Sequence, residues 1–201
     1  MKLIVGTDST WSLRAWICGQ LAQLDFEVIV IDLTRSDYKS EILKHSSTGL
    51  VPSLNEGSLV INDSLAIAEY FNECSGGRLY PTSMQEKALA RSLCLELHSG
   101  FINLRAECPF YLDHVTPLSK FNNNINSELT RIENIFSSAK LPFMFNSAGI
   151  VDAFYSILAF RLHVYGIKFQ GRAGTYQESL LNWTNLKDAI KLAESWKKLS
   201  P

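Results

Sequence analysis

The sequence predicts two folded parts: a small α/β domain built on a four-stranded mixed sheet, followed by an all-helical bundle. Strand-like and helix-like segments alternate up to Pro81, which is typical of α/β proteins. After Pro81 the apolar residues recur at the three- and four-residue spacing of amphipathic helices. No run approaches the roughly 18 apolar residues that a membrane-spanning helix needs. We therefore predict an α/β domain at residues 1–81 and a helical domain at residues 82–201.

The predicted α/β domain contains four short strand candidates and three helix candidates. The strands are expected at 3–5, 26–31, 51–54 and 58–61, and the last two are joined by the turn Asn55-Glu56-Gly57. One helix is expected from Leu13 to Leu24, where apolar residues recur every three or four positions along one face. A second is expected over 37–45, where this pattern is less pronounced, and a third begins at Asp63-Ser64. Gly76-Gly77 should end the last of these helices, because glycine favours the left-handed conformation found at helix C-termini.

Three long apolar stripes follow in the helical domain. They run from Leu118 to Phe136, from Ile150 to Tyr165, and from Leu186 to Trp196. Asn122, Asn123, Asn124 and Asn126 are expected on the solvent side of the first stripe, and Gly166 should end the second. Stripes of this size support a packed helical bundle.

The composition narrows the range of functions. The 201 residues include 19 basic and 20 acidic side chains, so the formal net charge is −1, and we expect no nucleic-acid or anionic membrane partner. The N-terminus begins as a strand, with Asp8 too near the start for a signal peptide. The cysteines, which are Cys18, Cys74, Cys94 and Cys108, have no metal-ligand spacing. The sequence therefore predicts a cytoplasmic protein with free thiols and no metal.

The first candidate site lies between the first strand and the first helix. A redox protein of this topology would carry Cys-x-x-Cys there, because the positive end of a helix stabilises a thiolate. This chain has Ser9 and Ser12 at that spacing, so a hydroxyl here could donate a hydrogen bond to the thiolate of a ligand. Alternatively, one serine merely caps the helix, which is equally typical of serine.

Two further candidates are Val51-Pro52 and Asp63-Ser64. A cis bond before Pro52 would present the backbone of Val51 to a peptide-like ligand, although most X-Pro bonds are trans. Asp63 and Ser64, at a helix N-terminus, could bind the ammonium and the carboxylate of a zwitterion. Alternatively, one of them simply caps that helix.

Taken together and in this order, these segments resemble the cytosolic glutathione transferase family. The resemblance covers essentially the whole chain and extends to Gly149-Ile150-Val151-Asp152-Ala153, which looks like the helix-capping segment of the family's helical domain. The segments Ser9–Trp16 and Leu97–Phe101 look most like a bacterial branch that uses serine. The resemblance implies a thioredoxin-like, glutathione-binding N-terminal domain, a C-terminal helical domain and a homodimer.

The resemblance also assigns roles to individual residues. It implies that Ser9, with Thr10 as a neighbouring donor, faces the sulfur of glutathione, which is the co-substrate. The backbone of Val51, beside a cis Pro52, would hold the cysteinyl part, and Asp63 and Ser64 would bind the γ-glutamyl end. Asp152 would be buried and would order the loop before it. The chain departs from the family pattern at Leu50, where many relatives have Lys or Gln, and at Gly149, where Ser or Thr is usual.

An electrophilic small molecule would be the second substrate. Cys94, His98, Phe101 and Arg105 are spaced as one helical stripe. We expect His98, Phe101, Arg105 and Trp11 to line its pocket, with Arg105 able to receive an anionic group. Alternatively, His98 is a packing residue and Arg105 pairs with an acidic side chain. The expected activity is that of a glutathione transferase. The alternatives are a glutathione-dependent isomerase or dehalogenase of the same fold, and a non-catalytic stress or regulatory protein.

Overall fold

The computed structural model describes residues 1–113, 115–117 and 120–198. Contacts between residues divide these into two compact units. The first unit comprises Met1–Leu79 together with the segment that starts at Asp188, and the second comprises Tyr80–Lys187. The sequence-based division put residues 188–198 with the helical domain, whereas their contacts group them with the α/β unit. None of the described helices combines the length and apolar character that crossing a membrane requires.

The first unit contains a four-stranded mixed sheet, as predicted. Its strands are β1 (Lys2–Gly6), β2 (Glu27–Ile31), β3 (Ser53–Glu56) and β4 (Leu59–Asn62), in the order β2-β1-β3-β4. β1 runs parallel to β2 and antiparallel to β3, and β3 and β4 form the predicted hairpin. Its turn lies at Gly57 and Ser58, however, because Asn55 and Glu56, which were predicted in the turn, pair with β4 as part of β3. The helices of this part are α1 (Thr10–Ala22), α2 (Tyr38–Leu43) and α3 (Ser64–Cys74).

The core of this unit is formed by the apolar side of β1 and the helices packed on it. Leu3, Ile4 and Val5 are fully buried, in keeping with a central strand. Ile4 also belongs to a cluster with Ile31 and Ile42, against which Val51 packs. α3 ends at Cys74, and Gly76 and Gly77 follow with positive φ.

The second unit is helical. Its helices are α4 (Met84–Ser99), α5 (Ile102–Glu107), α6 (Asn123–Ser137), α7 (Ile150–Val164) and α8 (Gly171–Asn182), and α9 (Thr184–Lys198) begins in it and ends in the first unit. Phe136 is a centre of its core: its ring makes edge contacts with those of Tyr155, Phe169 and Tyr176. Gly166 follows α7 with a φ of 73°.

Two helix predictions need correction. The helix predicted from Leu118 begins only at Asn123, since the side chain of Asn122 accepts a hydrogen bond from the N–H of Ile125 and caps it. Leu118 itself lies outside the described residues. The stripe from Cys94 to Arg105 is not one helix either, because α4 ends at Ser99 and a separate helix, α5, follows. The sequence patterns did not predict α5 or α8.

Candidate functional site

Ser9 occupies the N-cap of α1, immediately after the turn that leaves β1. Its Oγ accepts a hydrogen bond from the N–H of Ser12 at 3.2 Å, and the residue is 8% exposed. Ser9 therefore caps α1, as one of the two expectations had it. The hydroxyl can still donate a hydrogen bond, because its oxygen acts as the acceptor in the cap and its proton is not involved. Among the described residues, no acceptor takes the Ser9 proton.

Ser12 has a different environment from Ser9. It is fully buried, and its Oγ accepts a hydrogen bond from the N–H of Gly6 at 3.1 Å. It therefore fastens the end of β1 to the first turn of α1. Thr10, the first residue of α1, is 8% exposed. Of the two serines at Cys-x-x-Cys spacing, Ser9 is the one with surface open to a ligand.

Trp11 is half-buried on the same turn of α1. The guanidinium of Arg14 lies 4.5 Å from the centre of its ring, within the range of a cation–π contact. This contact fixes the indole against its own helix. The proposed role of Trp11 in binding a second substrate remains a prediction.

The Val51–Pro52 peptide bond is cis, as predicted. No backbone or side-chain hydrogen bond to a described residue engages the N–H or C=O of Val51. Its side chain lies close to Gly6, where an added Cβ would come within 2.9 Å of Val51 Cγ2. The backbone of Val51 is thus available to a ligand beside the end of β1. Leu50, before it, is 68% exposed.

Asp63 and Ser64 form the start of α3. Asp63 has a φ of 80°, and its Oδ1 accepts hydrogen bonds from the N–H groups of Leu65 at 2.7 Å and Ala66 at 3.4 Å. Asp63 is therefore the cap of this helix. Ser64 is 1% exposed, and its buried Oγ has no hydrogen-bond partner among the residues that the structure describes. A buried hydroxyl that makes no hydrogen bond destabilises the folded state. The Oγ of Ser64 is therefore suited to form a hydrogen bond with a ligand.

The strand register brings these three segments to one end of the sheet. Ser53 pairs with Ile4 of β1 on one side and with Asn62 of β4 on the other. Pro52 and Val51 precede Ser53, so they continue toward the end of β1 that leads to Ser9. Asn62 leads directly to Asp63. Two helix N-termini, with their unpaired amides and positive partial charge, therefore lie at the same sheet end as the open backbone of Val51.

The predicted second-substrate residues of the helical unit do not share one helix face. His98 is half-buried in the last turn of α4, and Phe101 is 6% exposed at the start of α5 with a φ of 55°. The guanidinium of Arg105 donates hydrogen bonds to the carbonyl oxygens of Leu97 and His98. Burial lowers the pKa of Arg105. The guanidinium of Arg105 thus binds the last carbonyl groups of α4. Its role as the receiver of an anionic substrate group stays a prediction.

Asp152 is fully buried, as the resemblance implied. Its carboxylate accepts hydrogen bonds from the N–H of Met144 at 2.9 Å, the N–H of Gly149 at 2.9 Å and the hydroxyl of Tyr176 at 2.7 Å. Burial raises the pKa of Asp152 to about 6, although the three donors favour its charged form. The carboxylate thus joins the loop before α7 to α8. Tyr176 was missed, although the apolar spacing of Ala173, Tyr176 and Leu180 is a signal for the helix that carries it.

The cysteines offer no better nucleophile. Cys18, Cys94 and Cys108 are buried, and burial raises the pKa values of the Cys18 and Cys108 thiols. Cys74 is exposed at the end of α3. None of the four lies at the N-cap of α1, so a thiol at that position would have to come from a ligand.

Comparison with known proteins identifies the N-terminal part of the chain. Residues 8–74 match the family model "Glutathione S-transferase, N-terminal domain". Glutathione S-transferase 1 of Dianthus caryophyllus is 37% identical over 91 residues, which are 44% of this chain and 41% of that protein. The chain spans about two fifths or less of the length of the curated relatives it matches.

Solved structures extend the likeness in fold to nearly the whole chain. A glutathione transferase homologue from Burkholderia, with bound glutathione, has a TM-score of 0.71 at 21% identity and covers 96% of this chain and 97% of its own. A bacterial maleylpyruvate isomerase, a zeta-class glutathione S-transferase, has a TM-score of 0.71 at 14% identity, covering 96% and 98%. Residues 8–74 are therefore similar to the N-terminal domain of glutathione S-transferases, and the chain has the fold of the glutathione transferases.

Proposed function

We propose that this protein is a glutathione transferase that activates the thiol of reduced glutathione for attack on an electrophilic small molecule. The observation that carries the proposal is the position of Ser9. Its hydroxyl sits at the N-cap of α1 with a proton that no described residue accepts. The match of residues 8–74 to the glutathione S-transferase N-terminal domain supports the same ligand.

The other segments at this end of the sheet match the parts of a tripeptide. The unpaired N–H and C=O of Val51 would pair with the cysteinyl backbone of glutathione, as one more strand does at a sheet edge. Ser64, whose buried Oγ has no partner, would donate to the γ-glutamyl carboxylate at the positive end of α3. Asp63 would receive the γ-glutamyl ammonium. Leu50 supplies no polar group for the glycyl carboxylate, which predicts modest affinity.

The chemistry needs only a shift in the ionisation of the thiol. A free thiol has a pKa of about 8.5 and is only a few per cent ionised at neutral pH. A hydrogen bond from Ser9, at the positive end of α1, stabilises the thiolate and lowers that pKa. The thiolate then forms a C–S bond to the electrophile and the leaving group departs with its electron pair. Binding both reactants together supplies much of the remaining rate enhancement.

The test of Ser9 is its replacement by alanine. We expect Ser9→Ala to raise the pKa seen in the pH profile of kcat/KM for a nitro-activated aryl chloride, and to lower the rate at pH 6.5 by at least tenfold. The matched control is Ser83→Ala, which removes an N-cap serine of the same kind from α4. Each substitution costs about 1 kcal/mol of helix capping. Equal, undiminished activity in both variants would refute the role of Ser9.

Calorimetry with reduced glutathione tests binding separately from catalysis. We expect Ser64→Ala to weaken glutathione binding while leaving thermal stability nearly unchanged, because the Oγ of Ser64 makes no hydrogen bond to any described residue. No heat of binding at millimolar glutathione would overturn the enzyme proposal. It would favour the non-catalytic alternative, a stress or regulatory protein with this fold.

A second candidate is a glutathione-dependent isomerase, which the likeness to the zeta-class maleylpyruvate isomerase favours. In that reaction the thiolate adds to a conjugated double bond, the adduct rotates, and elimination returns glutathione. The two candidates differ in stoichiometry. A transferase consumes one glutathione for each product, whereas an isomerase turns over many substrates with glutathione unchanged.

The remaining features of the proposal rest on the sequence patterns and on the resemblance. They are a homodimer, a cytoplasmic location, membership of the serine-type bacterial branch, and a second-substrate pocket that uses Trp11, His98, Phe101 and Arg105. Light scattering tests the dimer. The pocket is tested by whether substitution of His98 changes the KM for the electrophile more than that for glutathione.

A further inference from the structure

A cavity of about 590 Å³ is lined entirely by residues of the helical unit, none of which is assigned to glutathione. The C-terminal part of α7, the segment between α7 and α8, and one face of α8 line it. Its volume is within the range of roughly 300–1,000 Å³ that is typical of small-molecule sites.

Hydrogen bonds and a close backbone approach hold the segment between α7 and α8 in place along the wall of this cavity. Gln177 is 3% exposed; its Oε1 accepts a hydrogen bond from the N–H of Phe169 at 3.0 Å, and its Nε2 donates one to the carbonyl of Ile167 at 2.9 Å. Gly174 lets the same segment approach α8, because an added Cβ would lie 2.4 Å from the carbonyl oxygen of Phe169. The segment that carries Lys168 is therefore fixed beside the turn of α8 that carries Glu178.

The lining combines aromatic surface with one cation and one anion that do not pair. Two phenylalanines, Phe160 and Phe169, belong to the lining. Lys168 and Glu178 both line the cavity and are exposed, and within the described residues neither makes an ion pair or a hydrogen bond through its side chain. A lining that offers one cation and one anion, neither of which has an ion-pair partner among the described residues, suits a ligand that carries both charges itself. Aromatic walls suit a flat apolar body.

We propose that this cavity binds an aromatic α-amino acid as its zwitterion. Lys168 receives the carboxylate, Glu178 receives the ammonium, and the side chain of the ligand lies among Phe160, Phe169 and the adjoining face of α8. The proposal concerns a site separate from the glutathione segments, and it stands whether or not the chain is a transferase. Because Gln177 fixes the segment in the free protein, little ordering is needed on binding.

Calorimetry with three related probes tests the proposal: L-tryptophan, indole-3-propionate, which lacks the ammonium, and tryptamine, which lacks the carboxylate. We expect wild-type protein to bind tryptophan at least tenfold more tightly than either analogue, with and without saturating glutathione. Lys168→Ala should weaken the binding of tryptophan at least fivefold but leave the affinity for tryptamine unchanged. Glu178→Gln should weaken the binding of tryptophan but leave the affinity for indole-3-propionate unchanged.

Matched controls come from charged residues of the same unit that lie outside the cavity. Lys87→Ala and Glu133→Gln remove an exposed or half-exposed charge from α4 and α6, and both should leave all three affinities unchanged. Thr175→Trp places a large side chain in the cavity and should weaken the binding of all three probes. No binding of tryptophan at 5 mM would overturn the proposal, as would equal affinity for the three probes or full affinity in Lys168→Ala.

Discussion

Replacing the buried Asp152 should have two separable effects on stability. Asp152→Ala leaves three donors without an acceptor: the N–H of Met144, the N–H of Gly149 and the hydroxyl of Tyr176. Each orphaned donor costs about 1–3 kcal/mol, and removal of a buried charge offsets part of the total. We expect a loss of about 3 kcal/mol in the free energy of unfolding at pH 7.5, measured by urea titration.

The second effect is a dependence on pH that belongs to the carboxyl group. The pKa of Asp152 is raised from 3.8 to about 6 in the folded chain. Between these values the native state binds more protons than the unfolded state, so stability decreases as the pH rises through this range. The full contribution, about 3 kcal/mol, is present below about pH 4 and is lost above about pH 6.

Asp152→Asn separates the two effects. The amide cannot titrate, and its oxygen can still accept from Met144 and Tyr176, so one hydrogen bond is lost rather than three. We expect the Asn variant to lose the decrease in stability between pH 4 and 6. Glu133→Ala, at an exposed site on α6, should retain it. A decrease of the same size in Asp152→Asn would refute the assignment, and so would an Ala variant as stable as the wild type at pH 7.5.

Two further predictions concern the core and the thiols. Phe136→Ala should lower the free energy of unfolding by about 3–5 kcal/mol, because the buried ring of Phe136 contacts Tyr155, Phe169 and Tyr176. The control in urea titration is Leu89→Ala, which changes a half-exposed side chain on α4. Equal losses of stability in the two variants would contradict this account. In the native chain only the thiol of Cys74 should react rapidly with an aromatic disulfide reagent, because Cys18, Cys94 and Cys108 are buried. In urea all four thiols should react. Rapid reaction of native Cys74→Ser would be inconsistent with this prediction.

The sheet and the segments of the candidate site were predictable because their signals are local. Short apolar strands bounded by turns mark β1, β3 and β4, and Asp63-Ser64 and Ser9 mark helix starts. Helix caps depend on neighbours only two or three residues away, so the sequence carries them directly. The pairing of Ser53 with Ile4 and Asn62 then follows from the hairpin and its partner strand.

The errors arose where the pattern depended on distant residues or on a break in the backbone. The stripe from Cys94 to Arg105 has helical spacing throughout, but α4 stops at Ser99 and Phe101 takes a φ of 55°. Spacing cannot report this break, because the apolar period continues across it. The helix α8 was missed for a related reason: two glycines, Gly171 and Gly174, lower its intrinsic helix propensity, and its packing on α6 and α7 compensates.

The N-cap position of Ser9 is compatible with the catalytic role proposed for it. An N-cap side chain must lie beside the free amides of the first helical turn, which is where the positive end of the helix dipole is strongest. A hydroxyl that accepts the N–H of Ser12 is thereby oriented, and its own proton points to whatever anion occupies that end. Capping therefore fixes the donor before a ligand arrives. The same reasoning applies to Asp63, whose capping hydrogen bonds hold the start of α3 in place, while the hydroxyl of Ser64 has no hydrogen-bond partner in the described part of the chain. The near-neutral chain thus needs no basic patch to bind an anionic tripeptide.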